Sequence, residues 1–425
     1  MKYSMATFRL YESESLIACS MRIVVTMKEE IRADVLKKAA NEAIKRYPYF
    51  SVRVTVDDEG GYVLVPNHDE IAVLPVSEKA RSYATDEVNG HLCFIEYEGR
   101  KIYFNMSHSI CGGKGVQPWV MTTVYEYVKD LYGILPEAPG IRKPGEDLLE
   151  GEDVEPTEEM LSDEPPIYMV KRKNPYLPLW EYMNGLLNPF VKNQNYYLFK
   201  FNQKDIMAYA KKNDASVVSF FFVAIAKMLD SILPEKYRVI GGETSHNPSE
   251  DLGIPYSHFD MHSMINVDYE REMLKWDAEK LGTFTRSQII LQKDPTVSHF
   301  NMKKIFEGYD NLDDIKGLSK KKAYIKENNP RKKDVKHGSF VCNYSGQTDW
   351  GEVADYIDEY YLLVDGHLVF EISSLSDRIF LSMMQLLNTD KYSVSLGKIF
   401  DESGIPYEVS GPFQKHLSKH KLPTK

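Results

Sequence analysis

NMSHSICGG, residues 105–113, is the most informative segment of this 425-residue chain. An apolar, β-type run ends at Met106, and His108 follows it. Two glycines, Gly112 and Gly113, then allow the backbone to turn sharply and to pack closely. Imidazole is the side chain whose ordinary pKa suits proton removal near pH 7. The segment therefore predicts either a general base at the end of a buried strand or a structural histidine on a turn.

Other residues offer weaker chemistry. Cys111 would suit nucleophilic catalysis if its thiol met His108, but a three-residue spacing on a turn does not ensure that contact. His258 and His262 are four residues apart, as zinc ligands on a helix would be. Pro255 and the absence of helical periodicity weigh against that pair. We therefore predict no metal site and place His108 first.

The elements around the segment indicate the fold class. Residues 20–26 are β-branched and apolar, as in a buried strand, and the residues between 36 and 47 have helical spacing up to Pro48. Two hairpins, a strand entering the His108 turn, and a further helix follow. The predicted hairpins and helix are 52–56 with 62–65, 91–97 with 101–106, and 116–132. Strands mixed with flanking helices predict an α+β sandwich.

The second half of the chain repeats these ingredients. Ser216 is a good N-cap for a buried helix, and Asp365-Gly366 is a strong turn signal for a β-hairpin. The other predicted elements are a strand at 196–201, a helix at 205–212, a strand at 338–343, hairpin strands at 361–364 and 367–372, a helix through Phe380, Met383, Met384 and Leu387, and a last helix through Leu396, Ile399 and Phe400.

Charge and proline content mark a connector between the halves. The net charge is −10, and residues 146–166 hold ten acids with no Lys or Arg, so the other 52 acids match the 52 bases. Residues 136–190 contain nine prolines, which disfavour packing and predict an exposed crossover. We predict an N-terminal half at 1–135, this linker, and a C-terminal half at 191–425. A balanced folded body gives no general attraction for nucleic acid.

Composition places the chain among reduced, cytoplasmic proteins. The longest apolar run, 217–226, is about half of what a bilayer-spanning helix needs. The four cysteines lie far apart without a CxxC pair, which disfavours a cysteine zinc site and a disulfide framework. We predict no membrane span and a cytoplasmic location.

Residues 108–113 resemble the HxxxDG motif of the CoA-dependent acyltransferase superfamily. This superfamily includes chloramphenicol acetyltransferase, alcohol acetyltransferases, polyketide-associated acyltransferases and peptide-synthetase condensation domains. Residues 341–346, VCNYSG, resemble its S-N-x-G strand and turn, with Cys342 in place of Ser. The resemblance implies two chloramphenicol-acetyltransferase-like halves that face each other across a tunnel, with His108 at its middle as the general base.

Two positions depart from the family pattern. Gly112 stands where the family has Asp, a residue that is read there as structural through an Arg pair. Its absence bears on the rigidity of the turn more than on the chemistry. Ser107 replaces the first His of the doubled His found in many condensation domains. The departure at Ser107 favours a free-standing transferase over peptide synthesis, whereas the one at Gly112 raises the possibility of a non-catalytic member.

The resemblance also implies a mechanism and its residues. His108 would take a proton from an alcohol or amine as that group attacks a thioester carbonyl. The oxyanion needs donors about 3 Å away, which backbone N–H groups of Gly112 and Gly113, or Asn343 and Ser345, could supply. As turn residues, Asn343 and Ser345 also have a purely structural interpretation.

A basic segment, residues 320–336, precedes the 338–343 strand with a net charge of +6. We interpret it as a loop in which Arg331, Lys332 and Lys333 bind the phosphates of CoA, although a solvated loop would have the same composition. Acyl-CoA is then a co-substrate, and no cofactor is permanently bound. Two alternatives remain: a catalytically silent member that binds acyl-CoA or a protein, and a condensation enzyme that depends on a carrier protein.

Overall fold

The computed structural model describes residues 5–13, 20–178, 193–307, 309, 311–328 and 337–424. The first half supplies α1 (Met5–Ser13), β1 (Ser20–Met27), α2 (Ala33–Ala43), β2 (Val52–Val56), β3 (Tyr62–Pro66), β4 (Val73–Pro75), β5 (Cys93–Glu98), β6 (Lys101–Ser107) and α3 (Gly113–Tyr132). The second half supplies β7 (Asn193–Asn202), α4 (Gln203–Lys212), α5 (Val217–Ile232), β8 (Val239–His246), β9 (Ser263–Glu270), α6 (Ala278–Gln292), α7 (Pro295–Glu307), α8 (Leu318–Asn328), β10 (Phe340–Tyr344), β11 (Ile357–Val364), β12 (Val369–Leu375), β13 (Arg378–Gln385), α9 (Lys391–Glu402) and β14 (Glu408–His416).

The strands of the described residues form two large sheets and one separate hairpin. The first sheet has the order β11-β1-β6-β5-β4, the second has the order β14-β7-β13-β12-β10-β8-β9, and β2 pairs with β3. One cluster of buried apolar side chains includes Phe104 and Trp119 from the first half and Phe380 and Met384 from the second. The two halves therefore share a core, and the predicted α+β class with two halves is confirmed.

The first half follows its sequence pattern closely. All eight residues of β1 are buried, because β11 and β6 flank it in the sheet. Both predicted hairpins form, and the α2 helix gives way to 3-10 turns before Tyr49. In the second half, Ser216 caps α5 as predicted, since the Ser216 hydroxyl oxygen accepts a hydrogen bond from the Ser219 N–H at 3.1 Å.

The hairpin predicted around Asp365-Gly366 is wrong. β11 pairs antiparallel with β1 in the first sheet, whereas β12 lies between β10 and β13 in the second. A type I′ turn needs a positive φ at both central residues, and Asp365 does not have one. Instead its buried carboxylate accepts from the Ser20 hydroxyl and pairs with the Lys415 amine. The second half of the chain thus contributes a strand to the first sheet.

The helix predicted through Phe380, Met383, Met384 and Leu387 is also wrong, because residues 378–385 form β13. Phe380 and Met384 pack into the core shared by the halves, while Leu381 and Met383 pack into the second core on the opposite face. A strand buried on both faces is apolar at nearly every position, so a three- and four-residue spacing is present without any helix.

The acidic linker is only partly the exposed crossover that its composition predicts. Among its described residues, 136–178, the regular structure is one 3-10 turn at Glu158–Met160. Glu152, however, is 1% exposed and lies 2.9 Å from the Arg46 guanidinium and 2.9 Å from that of Arg142. Burial acts to raise its pKa, but hydrogen bonds from Arg46 and Tyr49 hold that pKa below the ordinary value. One acid of the linker is therefore a buried anchor.

The basic segment begins as a helix rather than a loop. Its first residues lie on α8, where Lys321 is buried and its amine donates to the Leu312 carbonyl at 2.6 Å. Arg331, Lys332 and Lys333 lie outside the described residues.

In the part of the chain that the structure describes, no single helix has the length and apolar character to cross a membrane; only the pair α4 and α5, bent by 84°, passes that test together.

Candidate active site

His108 is the first residue after the buried end of β6. Ser107 closes the pairing of β6 with β1 opposite Ser20, and residues 108–110 then turn. Gly112 is the N-cap residue of the 20-residue helix α3, so the turn ends at a helix N-terminus. A helix N-terminus carries unpaired N–H groups and a partial positive charge. The partly buried His108 imidazole is thereby separated by one short turn from a site suited to negative charge.

A histidine from the C-terminal tail holds the strand end. The His420 Nε2 lies 2.6 Å from the Ser107 hydroxyl, which also lies 2.7 Å from the Ser109 hydroxyl. Burial lowers the pKa of His420 to about 3, so the ring is neutral at ordinary pH. Tyr83 fixes the tail because its N–H donates to the Lys419 carbonyl at 2.9 Å. Ser107, the residue before His108, is thus bonded to a segment more than 300 residues away, and Ser109 is bonded to Ser107.

The β8–β9 loop, residues 247–262, packs directly on the turn. The His258 Nδ1 donates to the Ile110 carbonyl at 2.9 Å, and the His258 carbonyl accepts from the Gly112 N–H at 3.2 Å. The ring stacks on Tyr49 with centroids 4.0 Å apart, and its Nε2 faces Asp153 at 3.0 Å. His258 therefore ties the second half and the linker to the backbone of the His108 turn.

The turn that follows β10 approaches the same region from the second half. The Gln117 side chain, one helical turn into α3, donates to the Ser345 carbonyl at 3.1 Å. The Asn343 amide oxygen accepts from the Ser245 N–H at 3.0 Å, and the Asn343 amide nitrogen donates to the Glu371 carboxylate at 2.8 Å. The Ser345 N–H and hydroxyl both donate to the Ile372 carbonyl. Both predicted turn residues thus have structural partners, and the turn itself contacts the helix that follows His108.

Glu371 is a titratable group that the sequence analysis did not single out. It is 3% exposed on β12, and burial raises its pKa to about 7, against the lowering effect of the Asn343 hydrogen bond. A charge pattern in the sequence gives no signal for it, because its strand neighbours are apolar or uncharged. The only readable hint is a carboxylate within an otherwise buried strand.

The predicted glycine donors differ in their surroundings. The Gly112 N–H already donates to His258, whereas a Cβ on Gly113 would meet nothing within 4 Å. Among the described residues, open space therefore lies beside the first residue of α3.

The thiol and zinc alternatives find no support in the geometry. Cys111 is completely buried, and burial raises its pKa well above the ordinary value, which disfavours the reactive thiolate. Both ring nitrogens of His258 face protein oxygen atoms. Among the described residues, no group of three or more His, Cys, Asp or Glu side chains is arranged to hold a metal ion.

Comparisons with known proteins place this arrangement in a fold. No family model matches the chain, and no curated protein matches it. Among solved structures, Fusarium sporotrichioides TRI101 complexed with coenzyme A and T-2 is similar, at 9% identity over 96% of this chain and 98% of that chain, with a TM-score of 0.57.

Two further structures are similar over similar lengths. The TRI3 trichothecene 15-O-acetyltransferase of the same fungus has 12% identity, coverage of 93% of each chain and a TM-score of 0.56. The epimerization domain of the third module of tyrocidine synthetase B has 10% identity, coverage of 94% of each chain and a TM-score of 0.51. The two-half fold predicted from residues 108–113 is confirmed.

Proposed function

Starting from the fold of the CoA-dependent acyltransferases, we propose that this protein moves an acyl group from a CoA thioester to a small alcohol or amine, with His108 as the general base. One observation carries the proposal: the turn that holds His108 joins β6 to the N-terminus of α3, the β8–β9 loop bonds to that turn, and the turn after β10 bonds to α3. A general base needs such a position, between a donor site and an acceptor site. The crystallised complex of TRI101 with coenzyme A supports the donor class.

The reaction can be written atom by atom. The imidazole of His108 takes the proton of the acceptor O–H or N–H as that atom attacks the thioester carbonyl carbon. The carbonyl oxygen becomes an oxyanion. The open space beside Gly113 would hold it, the Gly113 N–H would donate to it, and the N-terminus of α3 would supply a favourable field. The C–S bond then breaks, and the imidazolium returns its proton to the leaving thiolate. Gly112, Asn343 and Ser345 hold the shape of the site through the bonds described above.

Arg331, Lys332 and Lys333 remain our proposed contacts for the CoA phosphates. Phosphate contacts are made equally in the ground and transition states, so they set KM rather than kcat. Replacement of all three by Ala should raise KM for acyl-CoA and leave kcat for a pantetheine thioester unchanged. Equal kinetics of the variant and the wild type with both donors would contradict this assignment.

The direct test is thiol release over acyl-CoA donors of different length, with panels of alcohols and amines. His108→Ala should lower kcat by about 10²- to 10⁴-fold, the usual cost of removing a general base. Cys111→Ala is the matched control on the same turn and should keep most of the rate. Loss of activity in Cys111→Ala together with a covalent acyl-enzyme would reverse the assignment.

The likeness to a peptide-synthetase domain favours one second candidate, a donor held by a carrier protein. Such an enzyme would accept a phosphopantetheinyl protein and reject free acyl-CoA. A catalytically silent protein, the possibility raised by Gly112, would release no thiol from either donor, and wild type and His108→Ala would then be equally inactive.

A further inference from the structure

The space beside Gly112 is occupied by a carboxylate from another part of the chain. A Cβ built on Gly112 would lie 3.2 Å from Asp260 Oδ1 and 3.3 Å from Asp260 Cα. Gly112 has φ −88° and ψ 175°, an extended conformation that any residue adopts. Glycine at position 112 is therefore favoured by the close approach of Asp260, not by its own backbone conformation.

Asp260 is itself held by a cation. Its Oδ2 forms an ion pair with the Arg9 guanidinium of α1, and the His262 imidazole lies 3.7 Å from the same oxygen. The Asp260 and Arg9 side chains are 13% and 11% exposed. Screening by water is weak at such a site, so loss of either charge leaves the other desolvated and without this ion pair. The pair joins α1 to the β8–β9 loop directly over Gly112.

We propose that Asp260 is a positioning residue for His108: from the β8–β9 loop, and through its ion pair with Arg9, it supplies the carboxylate that position 112 of the turn lacks. The same loop bonds to the turn at two backbone points, through His258 to Ile110 and to Gly112. The Arg9–Asp260 pair closes the loop onto these points and so fixes the turn that carries the base. This inference rests on the proposed function for its kinetic consequences only.

The geometry gives the proposal a specific signature. A carboxylate on residue 112 would compete with that of Asp260 for the space beside the turn, because its Cβ alone would lie 3.2 Å from Asp260 Oδ1. Gly112→Asp and Asp260→Gly should therefore each be harmful alone and compensate each other together. Contacting residues show such coupling, whereas independent sites add.

The experiment compares wild type, Asp260→Gly, Gly112→Asp and the double variant in the full-length protein. Each single variant should lower kcat by about 10- to 100-fold, the cost of an ångström-scale misplacement of a catalytic group. KM for acyl-CoA should change little, and the double variant should recover kcat to within about threefold of wild type. Asp251→Asn, on the same loop but in contact with His246, is the control and should keep wild-type kcat. Additive losses in the double variant would overturn the proposal.

Hydrogen exchange of the peptide containing residues 108–116 gives a readout that needs no activity. Asp260→Gly and Arg9→Gln should speed its exchange, the double variant with Gly112→Asp should restore protection, and Asp251→Asn should leave it unchanged. If the wild type transfers no acyl group while these exchange changes are seen, the proposed function fails and the positioning role stands. Unchanged exchange in Asp260→Gly would overturn the positioning role, whatever the activity.

Discussion

Two buried titratable side chains, His420 and Glu371, border the candidate site, and burial shifts their pKa values in opposite directions. His420 is neutral because burial lowers its pKa to about 3, and Glu371 holds its proton up to about pH 7 because burial raises its pKa. Each group stays uncharged where its exposed counterpart would be ionised. Glu371 and His420 are therefore both neutral between about pH 4.5 and pH 6.5, and both weaken the fold in that window, because each is ionised there in the unfolded chain.

Glu371 makes stability fall as pH rises. Its folded pKa of about 7 lies above the unfolded value of 4.5, so the stability that it contributes is complete below pH 4.5 and is lost as pH rises through 7. Relative to Glu371→Gln, the free energy of unfolding of the wild type should decrease by roughly 3 kcal/mol over this range, at about 1.4 kcal/mol per pKa unit. Urea unfolding of both proteins at several pH values measures it. Parallel pH profiles would show that Glu371 titrates normally.

His420 should act in the opposite direction. Its folded pKa is depressed below the ordinary 6.5, so its contribution to stability is complete above pH 6.5 and is lost as pH falls toward 3. His420→Leu removes the buried ring that bonds the Ser107 hydroxyl and leaves that hydroxyl with Ser109 alone, at a cost of about 1–3 kcal/mol at pH 7.5. That cost should shrink by about 2 kcal/mol at pH 5. At this pH, protonation of His420 stabilises the unfolded wild-type chain, whereas the Leu variant has no such group. Urea unfolding at the two pH values tests this.

The control for this prediction lies four residues earlier. His416→Leu removes a half-exposed ring whose partner is the side chain of Asn193, and its effect on the free energy of unfolding should be small. Equal effects of the two substitutions would mean that the bond to Ser107 carries no stability.

At this scale, His108 could be predicted as a candidate from the sequence, but the residues that contact its turn could not. His108 is recognisable because its environment is local: a strand before it and two glycines after it. His258 and His420 contact this turn from 148 and 313 residues away, and Asp260 does so from a loop without any regular pattern. Nothing in a single sequence links such distant positions, so the sequence singles out the candidate histidine but not the residues that contact its turn.

At the scale of elements, Glu152 fixes the linker to the first half. Its carboxylate is fully enclosed by Arg46, Arg142 and the Tyr49 hydroxyl, the last at 2.6 Å. Glu152→Ala leaves two guanidinium groups without their shared anion and should destabilise the protein by about 3–5 kcal/mol. Glu150→Ala, at an exposed position of the same linker, should change the free energy of unfolding by less than about 0.5 kcal/mol. Urea unfolding compares them, and equal small effects would show that the linker is not anchored.

The same scale shows where pattern reading succeeds and fails. Strands with one polar face and amphipathic helices were predicted, since their periodicity is local. β13 was mistaken for a helix because both of its faces are buried and, unlike the equally buried β1, it has almost no β-branched residues. β11 was mispaired because its partner, β1, is far away in sequence. β8, β9, α6, α7 and β14 carry no pattern strong enough to have been predicted. Pairing between distant strands is a tertiary property that turn residues alone do not determine.

At the scale of the molecule, β11 decides whether the halves are independent, because this strand belongs to the second half of the chain but lies in the sheet of the first. β1 pairs with β11 along Met21↔Val364 to Met27↔Ile357, so the first half alone would expose the edge of its central sheet. It would also expose the apolar face that Phe380 and Met384 cover. An uncovered edge and an uncovered core favour aggregation over folding.

A fragment of residues 1–135 should therefore fail to fold, although its sequence pattern outlines a complete half. Expressed alone, it should be insoluble or show no cooperative thermal transition. Co-expressed with residues 136–425, which carry β11, it should be recovered as a soluble complex that restores thiol release. The intact chain should unfold in one transition, since its halves share a core and a strand. A fragment 1–135 that unfolds cooperatively by itself would show that β11 is an addition to a finished sheet, and the boundary between the halves would then coincide with the one that proline and acid content predict.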